Sequence, residues 1–205
     1  MKKISILLLM TAFLYPVTAI FAQCKLISGD VSVLKGQPVI NLQYDYSKMA
    51  VGKFKNADDY VADRTADMNK KKPGDGDRWA EAWKNDRTSK FQPTFEKNLN
   101  EVVGKFNVSC KENASDAKYT LIIRTTFTEP GYNIGITRQN AWIKVEVDLI
   151  ETANPGTVLA SMIMKREDSV NMMGYDYDTG TRIQSAYDRA GDNLGDFLVK
   201  NVFKK

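Results

Sequence analysis

With no histidine among its 205 residues, the chain lacks the side chain that nucleophilic triads and most metal-assisted mechanisms use as base or ligand. Ser-His-Asp and Cys-His systems and His-ligated metals are therefore excluded. Carboxylate, Lys, Tyr or an unpaired Cys remain as catalytic groups. The 25 acidic residues leave room for two carboxylates across a glycosidic bond, yet no pair stands out by spacing. Asp176-Tyr177-Asp178-Thr179-Gly180 opens like a calcium loop, where alternating acids aim oxygens at one cation. It lacks a third ligand before the glycine and the distal bidentate Glu, so a turn and helix cap before Thr181 is expected, with no metal and no cofactor. Gly131-Tyr132-Asn133-Ile134-Gly135 has neither the spacing nor the following helix of a phosphate loop. No catalytic residue is assigned.

Two segments carry the residue types of a contact surface. The first runs from Glu129 to Ile136 and displays Tyr132 and Ile134. The second, Met172-Met173-Gly174-Tyr175-Asp176-Tyr177, mixes thioether, aromatic and acidic groups. Tyr and Met give large, adaptable contact area, so Tyr132, Ile134, Met172, Met173, Tyr175 and Tyr177 are the binding candidates. Trp79 and Trp83 stand four apart on an apolar stripe, which reads as core rather than as a sugar platform.

The elements that must position these loops follow from periodicity. Ile40, Leu42, Tyr44 and Tyr46 alternate with polar residues as a half-buried strand does. Asn56 caps a helix reaching about Lys70, and the Lys70-Lys71-Lys72 run is its solvated end. Trp79, Trp83, Phe91, Phe95, Leu99, Val102 and Phe106 mark a helical stripe that Pro93 divides, predicting two helices, 77–91 and 93–106, with a kink or break between them. Tyr119, Leu121, Ile123, Thr125 and Phe127 share one face of a strand. Ala141, Ile143, Val145, Val147 and Leu149 alternate with Lys144, Glu146 and Asp148, so the outward face of that strand sees water. A turn at Asn154-Pro155-Gly156 and a strand over 158–166 complete a three-stranded antiparallel meander. A closing helix, 181–203, carries Gly191 and Gly195 beside its apolar stripe, implying close approach to the sheet. The expected class is α+β, an about four-stranded, mostly antiparallel sheet with helices on one face, in the order strand, helices, meander, helix.

Residues 1–22 read as a signal peptide: Lys2 and Lys3, an apolar run from Ile4 to Leu14, and an Ile20-Phe21-Ala22 exit. Pro16 and the short run argue against a membrane anchor. Residues 23–205 would form a single domain, periplasmic or secreted and not integral to the membrane. Lipidation of Cys24 is the less favoured route, because Gln23 is not the small residue that lipoprotein processing prefers before the cysteine. In an oxidising compartment Cys24 and Cys110 are expected to form a disulfide. A formal charge of +4 with interspersed signs provides no clustered basic face for nucleic acid.

The strand, helical section, meander ending near Arg166 and closing helix with Ala190-Gly191 and Gly195 resemble envelope proteins built like the amino-terminal domain of TolB or the curli-secretion lipoprotein. The Ala22-Gln23 junction and the Trp79, Trp83, Asp86-Arg87 and Phe91 segment are similar to secreted proteins of gut Bacteroidetes. These resemblances imply an envelope location and no activity. The expected role is an exported accessory protein that binds an envelope protein or polymer; the alternative is a small carboxylate-based hydrolase acting on such a polymer.

Overall fold

The computed structural model describes residues 24–170 and 177–204; the signal segment and Gln23, together with Met172, Met173 and Tyr175, lie outside them. Strands β1 (Lys25–Gly29), β2 (Val39–Asp45) and β3 (Ala50–Val51) precede helices α1 (Ala57–Lys71), α2 (Asp75–Asp86) and α3 (Gln92–Val103). Then follow β4 (Ser109–Glu112), β5 (Tyr119–Glu129), the short β6 (Tyr132–Asn133) and β7 (Arg138–Gln139), β8 (Trp142–Glu151), β9 (Asn154–Asp168) and α4 (Thr179–Leu198). The class is α+β, but the sheet has seven strands in the order β1-β9-β8-β5-β2-β4, with β3 also on β5. It is mixed: β2 runs parallel to both β4 and β5, and β3 runs parallel to β5, while β5, β8, β9 and β1 pair antiparallel.

Alternation places Leu121, Ile123, Ile143, Val145, Val147, Leu149, Met162 and Met164 on the inner face, all buried. Phe95, Leu99 and Val103 of α3, with Ile183, Tyr187, Ala190, Leu194 and Leu198 of α4, complete that core. On the outer face Arg124 donates from Nε to Asp45 at 3.0 Å and from Nη1 to Asp148 at 2.8 Å, while Ser161 donates to Asp148 at 2.7 Å. This polar row crosses four strands and lets one side of the sheet face water. A bulge at Thr126 shifts the register of β5 on β8, so Phe127 leaves the inner face expected for it and stacks on Trp142 at 4.5 Å. The tight turn before β9 is Thr152-Ala153, with Asn154 already opposite Glu151, not Asn154-Pro155-Gly156.

Pro93 does not break the chain's helical path. The turn Arg87–Phe91 widens to π geometry, and the Gln92 N–H reaches back to the Arg87 carbonyl. Widening the turn just before Pro93 frees room for its ring and for the carbonyl left without a donor. Asn56 caps α1, accepting the Asp59 N–H at 2.8 Å, as its position predicts. Trp83 is buried, and Trp79, Trp83 and Tyr60 pack ring against ring, which fastens α2 to α1.

Gly191 and Gly195 make their close approach to α3 rather than to the sheet. A Cβ on Gly191 would lie 2.5 Å from the Phe95 carbonyl oxygen, and one on Gly195 2.7 Å from Val102 Cβ. At the far edge of the sheet, the Asn100 side chain of α3 donates to the Cys110 carbonyl at 2.6 Å and accepts the Cys110 N–H at 2.8 Å. Glu96 accepts the Glu112 N–H at 3.1 Å.

The expected disulfide is not formed: both cysteines are free and buried. Cys24 adjoins β1 and Cys110 lies in β4, the two opposite edges of the sheet. Five strand spacings separate them, roughly 24 Å, against about 4.4–6.8 Å between Cα atoms in a disulfide. Thiol titration of the denatured, unreduced protein should accordingly find two free thiols per chain; none would refute this topology. Gly191→Ala should lower stability by about 1–3 kcal/mol in denaturant titration, since it overpacks against main chain, and Gly195→Ala should cost less. A raised midpoint for Gly191→Ala would mean that the two helices are farther apart.

Candidate functional site

The segment 129–138, expected as a loop, is a short hairpin. Tyr132 pairs with Gln139 and Asn133 with Arg138. The Ile134 N–H donates to the Thr137 carbonyl at 3.1 Å, and Asn133 Oδ1 accepts the Gly135 N–H at 3.0 Å. Ile134 is 69% and Ile136 95% exposed, so the tip projects two aliphatic side chains into solvent. Gly131 holds the entry to the hairpin at φ 60°, where a side chain would strike the Gln139 carbonyl.

Beneath the hairpin lies Arg182, in the first turns of α4 and 4% exposed. Its guanidinium donates to the carbonyls of Pro130 at 3.2 Å, Gly131 at 3.3 Å and Tyr177 at 2.9 Å, and to Thr179 Oγ1 at 3.1 Å. A single buried cation thus ties the hairpin stem to the approach to α4. A rigid fork of donors suits such convergent carbonyls. The same helix start is fixed by Asp178, which accepts the Thr181 N–H at 2.8 Å and the Lys90 ammonium at 3.2 Å. Burial pushes the Asp178 carboxyl up, but these donors outweigh it and hold it below its ordinary value. Its oxygens serve as the helix cap expected from the sequence.

Between hairpin, α1 and the start of α4 runs a groove of about 530 Å³. Tyr132, Ile134 and Tyr177, three of the sequence-derived candidates, line it together. Tyr60, Asp63 and Arg64 of α1 face them, with Lys53, Phe54 and Glu129 at the strand ends. Burial raises the Tyr60 hydroxyl pKa, and nearby Arg64 and Glu129 pull it in opposite directions. Sequence reasoning passed over Tyr60, Arg64 and Arg182. The only hint of Arg182 was a cation abutting the apolar stripe at Ile183.

Neither cysteine lines the groove, and nor does Glu167. Burial and, for Cys24, the neighbouring Glu167 push both thiols up to about 12, far from thiolate at neutral pH. Burial also raises Glu167 from 4.5 to about 8, despite a 2.6 Å hydrogen bond from Asn193 to its Oε2. Its Oε1 has no hydrogen-bond partner, and the residue is fully buried. No group of three or more metal-ligating side chains occurs among the described residues, and no helix there is long and apolar enough to cross a membrane.

No family model matches the chain, and no curated protein matches it. Solved structures do. The PelC dodecamer from Paraburkholderia phytofirmans aligns over 83% of this chain and 96% of its own, with 11% identity and a TM-score of 0.39. A point variant of that dodecamer aligns over 81% and 95%, with 13% identity and a TM-score of 0.35. A Xanthomonas campestris protein of the DUF330 family aligns over 80% and 83%, with 10% identity and a TM-score of 0.33. Similarity this loose assigns no role to the present chain, and these three include no TolB, curli-secretion or Bacteroidetes protein.

Arg182→Met should cost about 2–4 kcal/mol, because it leaves several buried carbonyls without a donor. It should also open the hairpin to tryptic cleavage after Arg138; unchanged stability and protection would show that the brace is dispensable. Glu167 supplies a pH test. The native state keeps its proton up to about pH 8, whereas the unfolded chain ionises near 4.5, so stability should decline as pH rises through that interval. The decline should be absent in Glu167→Gln, which retains the acceptor for Asn193. Parallel pH profiles for the two proteins would disprove the assignment.

Proposed function

We propose that this is an exported binding protein of the cell envelope, processed after Ala22, whose ligand seats in the groove and against the hairpin. One observation carries the reading: Tyr132, Ile134 and Tyr177, distant in sequence, meet at one groove beside a tip whose Ile136 is almost fully exposed. Aliphatic and tyrosyl side chains presented together in this way favour association. The Arg182 brace supports it further, since a pre-organised loop loses less entropy on binding. The hydrolase alternative has less to draw on, because Glu167, whose carboxyl burial raises to about 8, is fully buried and does not line the groove.

A photo-crosslinking amino acid at Ile136, in the full chain expressed in its native cells, should yield a discrete envelope adduct. The same group at Lys111, exposed on the edge strand β4, should yield little. Equal, diffuse labelling from both positions would defeat the proposal.

A further inference from the structure

Building on that binding role, we propose that the groove takes a neutral, hydroxyl-rich ligand, a stretch of an uncharged polysaccharide. The groove is lined by both signs: Arg64 and Glu129 act in opposite directions on the Tyr60 hydroxyl, and the buried Arg182 is among the lining residues. It also carries two exposed rings, Tyr132 at 44% and Tyr177 at 64%. An anionic ligand would meet Asp63, Asp67 and Glu129; a cationic one would meet Lys53 and Arg64. Purely aliphatic matter would cover Glu129 and Arg64 without replacing their water, at a desolvation cost. A sugar hydroxyl escapes all three penalties, because it donates to carboxylate and accepts from guanidinium at once. The C–H face of a pyranose meanwhile offers the apolar surface that an exposed tyrosine ring can cover. The groove is open and formed from four separate segments, which suits a chain passing through better than a small molecule enclosed on all sides.

The test uses the exported protein with cello-, laminari-, malto- and chitin-oligosaccharides as neutral probes, and polygalacturonate and chitosan oligomers as charged controls, all by calorimetry. At least one neutral series should bind with an affinity that added salt leaves unchanged, since no net charge is neutralised. Tyr132→Ala combined with Tyr177→Ala should weaken that binding by about tenfold or more while keeping the denaturation midpoint, both rings being exposed. Failure of every neutral series, salt-sensitive binding of the charged controls alone, or unaltered affinity in the double variant would overturn the assignment. Crosslinking to a protein at Ile136 without any glycan binding would remove the ligand class and leave the binding role standing; loss of both would remove both.

Discussion

The distance between α3 and α4 is the constraint on which the rest of the molecule depends. At Gly191 the two backbones meet with no room for even one methyl group, and Val102 fills the space beside Gly195. Only at that separation can both helices lie over the same inner face of the sheet. The register so fixed brings the Tyr187 hydroxyl within 2.6 Å of Thr125 and stacks its ring on Phe91 at 5.0 Å. It also places Arg182, five residues earlier on α4, under the hairpin it braces. Helix packing in the core therefore sets the geometry of the groove at the end of the sheet.

Because helices cover one face alone, the other must be tolerable to water. The row Asp45, Arg124, Asp148, Ser161 meets that need with mutually paired groups instead of scattered charges. Burial pressure on Arg124 is outweighed first by Asp148 and then by Asp45, so its guanidinium stays firmly protonated. The bulge at Thr126 uses the same face differently: it turns Phe127 outward onto Trp142, whose other neighbour is the Arg166 guanidinium at 4.9 Å.

Strong periodicity was legible and weak periodicity was not. Residues 39–45, 119–129 and 142–151 alternate over enough positions to reveal strands, and the stripe from Ile183 to Leu198 reveals α4. Lys25–Gly29 and Ser109–Cys110–Lys111–Glu112 are edge strands of four or five residues with little alternation, so they read as connections. Parallel pairing of β2 with β4 and β5 leaves no local trace, because which strands become neighbours is decided by the helices between them. For the groove, exposed Tyr132, Ile134 and Tyr177 betrayed themselves by being apolar in loop-like sequence. Tyr60 and Arg182 sit inside helices, where one charge or one ring beside an apolar stripe resembles ordinary packing. The free cysteines followed the same logic: counting them suggested a bond, and only the strand order placed them at opposite edges.

The Asn100 amide occupies both hydrogen-bonding positions that a neighbouring strand would take at Cys110. The sheet is thus closed on the β4 side by a group belonging to α3. The seal cannot be lifted alone, since moving Asn100 means moving the helix that Gly191 holds against α4. Exposure of this edge, the event that recruits other chains into aggregates, is thereby coupled to opening of the core. A protein built this way has no cheap partial unfolding on that side, and its resistance to self-association there rises and falls with its global stability.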